Sequence, residues 1–109
     1  MLLPNSENAI IAPEKLRDFL LSGSHPDNHG RARFFTALGY HQDIWQQLAS
    51  DIAAQHLICD ADYGHPSDYG TTYEIVAILR GPLGSAKIKS VWIIDWEDDV
   101  PRFVTAYPD

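Results

Sequence analysis

The chain has 109 residues, of which 45% are hydrophobic, 11% aromatic and 21% charged. That is the composition of one globular domain with a single core, not of a disordered segment or of an enzyme with separate cofactor and substrate domains. A formal net charge of -7 argues against broad, sequence-independent nucleic-acid binding, which needs many cations set against phosphates.

No apolar run approaches the ~18 residues that span a bilayer. Met1-Leu2-Leu3 passes at once into Pro4-Asn5-Ser6-Glu7 without a basic leader segment. The lone Cys59 excludes an internal disulfide and any thiolate-rich metal site. The expectation is a cytoplasmic protein with no membrane partner.

Residues 1 to 12 read as an extended arm anchored by Ile10 and Ile11. Pro13-Glu14 then opens a helix, with proline in the first turn and a carboxylate favoured by the helix dipole. Leu16, Phe19 and Leu20 give that helix a buried stripe, which ends at Ser22-Gly23-Ser24. A polar loop from His25 to Gly30 leads to a second helix carrying Phe34, Phe35 and Leu38, stopped by Gly39. Asp43 with Gln46 three residues on has the spacing of a capping box, and Ile44, Trp45, Leu48, Ile52 and Ala53 carry a third helix to about His56.

From Cys59 to Gly70 the chain turns to Asp, Gly, Pro and His and reads as a long exposed loop. Thr71 to Leu79 and Ala86 to Asp95 read as strands joined by the turn Gly81-Pro82-Leu83-Gly84. An acidic turn, Trp96 to Val100, precedes a last strand, Phe103 to Tyr107. Helices followed by a meander give an α+β fold, with about three N-terminal helices on one face of a small antiparallel sheet, and one domain over 1–109.

Thr105 and Tyr107 lie two apart and so share a strand face, with Arg102 nearby. Two hydroxyls and an arginine could hold a phosphate if a base came from elsewhere. His25 and His29 offer that base in a glycine-bounded loop, histidine being the side chain that exchanges protons in the neutral range. Arg31 and Arg33 open the second helix, where backbone N–H groups favour anions and Arg31 could grip a phosphate with both arms.

Each of these residues also has a structural use: turn histidines, solvated arginines, β-favouring Thr and Tyr. His25, His29, His41, His56 and His65 show no helical i, i+4 pair backed by Glu and no Cys pair, so no metal is expected. Trp92 reads as core. Trp96 with Tyr63, Tyr69 and Tyr73 could instead stack on a nucleobase.

The chain as a whole resembles a small bacterial family of uncharacterised domains, found alone and as C-terminal modules of polymorphic toxins. The matching residues are Leu3-Pro4-Asn5, His25-Pro26, Arg31-Ala32 with Phe35, and Ala37-Leu38-Gly39. Further along they are Tyr69-Gly70, Tyr73, Gly81-Pro82, Trp92-Ile93 and Pro101-Arg102 with Thr105 and Tyr107. The toxin context makes the order of elements similar to the compact ribonuclease fold of barnase, EndoU-type nucleases and RelE-like mRNA interferases. The family pattern carries lysine where this chain has Arg31. Arginine does not exchange protons at ordinary pH, so Arg31 is left with phosphate binding and the acid–base work falls on His25.

The resemblance implies a metal-independent, ribonuclease-like toxin domain without cofactor. In it His25 withdraws the ribose 2′-hydroxyl proton, Arg31 and Arg102 stabilise the phosphorane, and Thr105 and Tyr107 orient the phosphate or assist the leaving group. RNA is the implied substrate and a small antitoxin or immunity protein the implied partner. The alternative is a non-catalytic, antitoxin- or immunity-like module whose acidic surface binds a basic partner.

Overall fold

A computed structural model describes residues 1–109. The fold is α+β, with the helices preceding a four-stranded antiparallel sheet in the order β1-β2-β3-β4. Pro13–Lys15 form α1, which runs directly into a π-helical segment, Leu16–Leu20. α2 is Arg31–Ala37 and α3 is Trp45–His56. The strands are β1 Asp62–Tyr63, β2 Gly70–Arg80, β3 Ser85–Asp95 and β4 Arg102–Pro108.

Tyr73, Ile75 and Leu79 of β2, Ile88 and Trp92 of β3, and Phe103 and Ala106 of β4 point to one side. There they bury against Leu16, Leu20, Phe35, Leu48 and Ile52 from the helical half. The other sheet face is open, with Val76 and Ile78 exposed. On that open face the Lys89 ammonium reaches the Glu74 carboxylate at 3.3 Å across β2 and β3. The contact raises the Lys89 pKa, chiefly through the bond to Glu74.

Three local expectations need correction. The spacing of Leu16, Phe19 and Leu20 is met by a π turn, a wider ring than the α turn. No Asp43 capping box forms, because a 3-10 turn over Gln42–Ile44 precedes α3 and leaves Ile44 at its N-cap without a side-chain cap bond. The expected loop from Cys59 to Gly70 contains β1, which pairs Tyr63 with Tyr73. Gly39 does close the second helix, at φ 103, where only glycine sits without strain.

The N-terminal arm is tied to the sheet. Ile10 N–H donates to Pro101 O at 2.9 Å and Phe103 N–H donates to Ile10 O at 2.9 Å, so the arm covers the start of edge strand β4. Further along, β4 carries a bulge. Phe103 faces Trp92 and Thr105 faces Val91, leaving Val104 as the extra residue between them. The bulge lets Phe103 and Ala106 both face the core. Thr105 and Tyr107 are thereby turned to the other face.

A polar chain crosses the core. Trp92 Nε1–H donates to Ser90 Oγ at 2.9 Å, and Ser90 Oγ lies 2.8 Å from His56 Nδ1 at the end of α3. The indole can only donate, so Ser90 Oγ accepts from Trp92 and shares its second contact with His56 Nδ1. His56 is fully buried and its Nε2 has no hydrogen-bond partner. Burial lowers the His56 pKa, opposed in part by the backbone of Ala77.

The consequence is a pH-dependent stability. Above the ordinary histidine pKa of about 6.5 the ring is neutral folded and unfolded and contributes no slope. Below it the unfolded chain takes up a proton that the folded chain refuses, so stability falls as pH drops toward the depressed folded pKa. Denaturant titrations should show a slope of about 0.7 kcal/mol per pH unit near pH 6.5, rising toward about 1.4 kcal/mol at lower pH while the folded ring stays neutral. That slope should vanish in His56→Gln, and its persistence there would assign it to other groups.

Candidate functional site

Asn28 sets the loop before α2. It is buried, its Nδ2 donates to Phe19 O at 2.6 Å and Leu20 O at 3.1 Å, and its Oδ1 accepts the Ala32 N–H at 2.8 Å. The Arg31 N–H goes to Asn28 O at 3.1 Å. Two N–H groups at the start of α2 are therefore already used. The amides of Arg31 and Ala32 are thus not free for the anion expected at this helix start, which leaves the side chains as the main donors.

Anchored this way, Arg31 extends from α2 to β4. Its Nη1 donates to Thr105 Oγ1 at 3.0 Å. Its guanidinium carbon lies 5.6 Å from the Phe19 ring centre and 5.4 Å from that of Tyr107, within cation–π range of both. Lys89 Nζ stands 5.9 Å from the same Tyr107 ring. Tyr107 is thus a platform between two cations.

Glu14, Lys15, Asp18, Phe19, His25, Arg31, Val104 and Thr105 line a cavity of about 510 Å³ at this edge of the sheet. His25 packs edge-on against Phe19, ring centres 4.8 Å apart. It also lines an adjoining hollow with His29 and Arg33. Of the five residues singled out from the sequence, His25, Arg31 and Thr105 meet in the cavity, and Tyr107 reaches it by stacking on Arg31.

Arg102 does not join them. The bulge brings it to the sheet face of Thr105, opposite Ile93, but its Nε lies 3.4 Å from Asp98 Oδ2. Asp98 is itself held by the N–H groups of Asp99 and Val100, which, ahead of Arg102, keep its carboxyl below the usual range. The role expected of Arg102 at the phosphate finds no place in this cavity lining, and its one polar side-chain contact is the Nε pair with the acidic turn.

The wiring of His25 restricts its chemistry. Asp27 N–H donates to His25 Nδ1 at 3.1 Å, so the neutral ring carries its proton on Nε2. In this tautomer His25 is a hydrogen-bond donor toward an anion. It accepts a proton from substrate only if the Asp27 contact opens.

Sequence reasoning missed Asn28, Lys15 and Phe19. Lys15 is exposed and free of any ion pair, and adds a second cation to the cavity rim. Its place one residue after Glu14 in the proline-initiated turn was the only available signal. Asn28, as a short amide inside a His/Gly loop, could have been read as a turn-forming residue.

Residues 2–109 match the family model described as a domain of unknown function, DUF6883, and the chain belongs to that family. No curated protein and no solved structure matches the chain. No helix is long and apolar enough to cross a membrane.

Proposed function

We propose that the chain is a toxin-type, metal-independent ribonuclease-like domain whose phosphate subsite is the cavity between α1, α2 and β4. The observation that carries the reading is that His25 and Arg31, from the loop and start of α2, line one cavity with Thr105, 74 residues beyond Arg31. Thr105 and the rings of Phe19 and Tyr107 hold the guanidinium, which keeps a planar donor edge for phosphate oxygens. Lys15 adds charge at the rim and His25 a polar contact, while of the two carboxylates in the lining, Glu14 and Asp18, the second is neutralised by Arg17 at 2.9 Å.

Cleavage in this site is transfer to the ribose 2′-oxygen. The 2′-hydroxyl proton passes to His25 after its ring has left the Asp27 N–H, the 2′-oxygen bonds to phosphorus, and the bond from phosphorus to the 5′-oxygen breaks. The 5′-hydroxyl formed takes a proton from solvent or from the protonated ring, and a 2′,3′-cyclic phosphate remains. Arg31 stabilises the charge that develops on the phosphorane.

The Asp27–His25 hydrogen bond also favours a second reading, in which the cavity binds RNA phosphate and does not turn it over. The two are separated by incubating RNA with the purified chain in excess chelator. Cleavage should yield cyclic-phosphate ends and be lost in His25→Ala at unchanged melting temperature, while Arg102→Lys should leave it intact. Binding without cleavage by both the wild type and His25→Ala selects the second reading. Absence of RNA binding removes both.

A further inference from the structure

A second surface of the molecule has the opposite chemistry. The turn after β3 is pinned to the loop before β2: Trp96 N–H donates to Tyr69 O at 3.1 Å and Trp96 Nε1–H to Asp68 O at 2.8 Å. The indole is therefore held in place, yet Trp96 is 66% exposed, and Tyr69 is 77% exposed beside it. Large aromatic rings fixed in solvent are unusual for a folded chain and are the residue types that dominate protein interfaces.

Asp68, Tyr69, Asp95, Trp96, Glu97 and Asp98 line a cleft of about 600 Å³ between the two segments. Asp98 is occupied by Arg102 and two backbone N–H groups. Asp68, Asp95 and Glu97 have no cation within ion-pair distance, and no lining residue is Lys, Arg or His. The carboxylates do not converge into a group able to hold a metal ion. They line the cleft together with the two aromatic rings, a composition suited to a broad organic cation, which the ring quadrupole also attracts. Phosphate would be repelled.

We propose that this cleft docks a basic segment of a partner protein, seating an Arg or Lys side chain against Trp96 and Tyr69 among Asp68, Asp95 and Glu97. Trp96 and Tyr69 supply the apolar contact and the uncompensated carboxylates supply orientation and on-rate. The surface shares no lining residue with the His25 cavity. Its occupation and RNA chemistry therefore fail or succeed separately.

The test is calorimetric titration of the full chain with short peptides carrying paired Arg or Lys, beside equal-length peptides in which citrulline or acetyl-lysine replaces them. The charged peptides should bind with a salt-sensitive affinity, and the neutral ones about ten-fold or more weaker. Trp96→Ala should weaken binding by a similar factor. Because that change also removes a tie to Asp68, the double variant Asp68→Asn, Glu97→Gln, which leaves the backbone contacts in place, should weaken it too, with an unchanged melting temperature. No binding of the charged peptides, equal binding of the neutral ones, or indifference to the double variant overturns the proposal. So does free arginine amide binding as tightly as the peptides, or an RNA oligonucleotide whose affinity falls with Trp96→Ala.

Discussion

Trp92→Ala should lower unfolding free energy by about 3–5 kcal/mol, the range for removing a large buried aromatic side chain. Trp92 is fully buried and stacks edge-on against Phe103, ring centres 5.3 Å apart. Its register partners are Tyr73 on β2 and Phe103 on β4, so it links three strands at the point where β4 bulges. Truncation leaves a cavity there and strips Ser90 of its only indole donor. The Ser90 hydroxyl must then serve a buried His56 alone.

Against a typical domain stability of about 5–15 kcal/mol, that loss is a large fraction, and the melting temperature should fall by on the order of 15 °C. Trp96→Ala serves as the contrast. Its ring is mostly exposed, so its removal should cost about 1 kcal/mol or less. A fall of similar size in both variants would contradict the assignment of Trp92 to the core and Trp96 to an outer surface.

What could be read from the residues followed from how local the cause was. β2 and β3 were legible because their β-branched runs flank Gly81-Pro82-Leu83-Gly84, and the turn and the alternation are written in neighbouring positions. β4 was legible between Pro101 and Pro108. β1 was not, because two residues carry no period. It exists because Leu2 bridges Asp60 and Tyr63 packs on Tyr73, contacts made from far along the chain.

The π turn over Leu16–Leu20 was hidden because it buries the same positions as the α turn it replaces, and the bulge at Val104 because regular alternation would have put Phe103 with Thr105 and Tyr107, whereas the extra residue puts Phe103 with Ala106. For the candidate site, residue types were legible and company was not. Arg102 and Arg31 look alike in sequence. One lies four residues from Asp98 and pairs with it, and the other reaches across the fold to Thr105. The Arg102 pairing is local, an i, i+4 contact to the acidic turn, whereas the Arg31 contact depends on the bulge and the buried amide of Asn28, which together aim Thr105 outward and Arg31 toward it.

Arg31→Ala should reduce RNA cleavage by about 10²–10³-fold if the cavity is the phosphate subsite, the usual effect of removing one donor that stabilises transition-state charge. The stability effect is read separately. Arg31 is only partly buried, and truncation removes a part-buried hydrogen bond from a charged donor, about 1.5–3 kcal/mol, with two cation–π contacts of about 0.5–1 kcal/mol each. A rate loss of that size corresponds to about 2.7–4 kcal/mol of transition-state stabilisation, and kinetics and thermal unfolding report the two quantities independently on the same variant. Arg31→Lys sharpens the distinction. Lysine keeps the positive charge but cannot lie flat between Phe19 and Tyr107 or offer two parallel donors. If planar, paired donation to phosphate is the function, Arg31→Lys should recover substrate binding more than turnover. If instead Arg31 is a clamp between α2 and β4, activity and melting temperature will fall together in Arg31→Ala, and Thr105→Val, which removes the acceptor and keeps the shape, will reproduce the loss of stability. That pattern would leave His25 without a phosphate ligand and end the ribonuclease reading of the cavity.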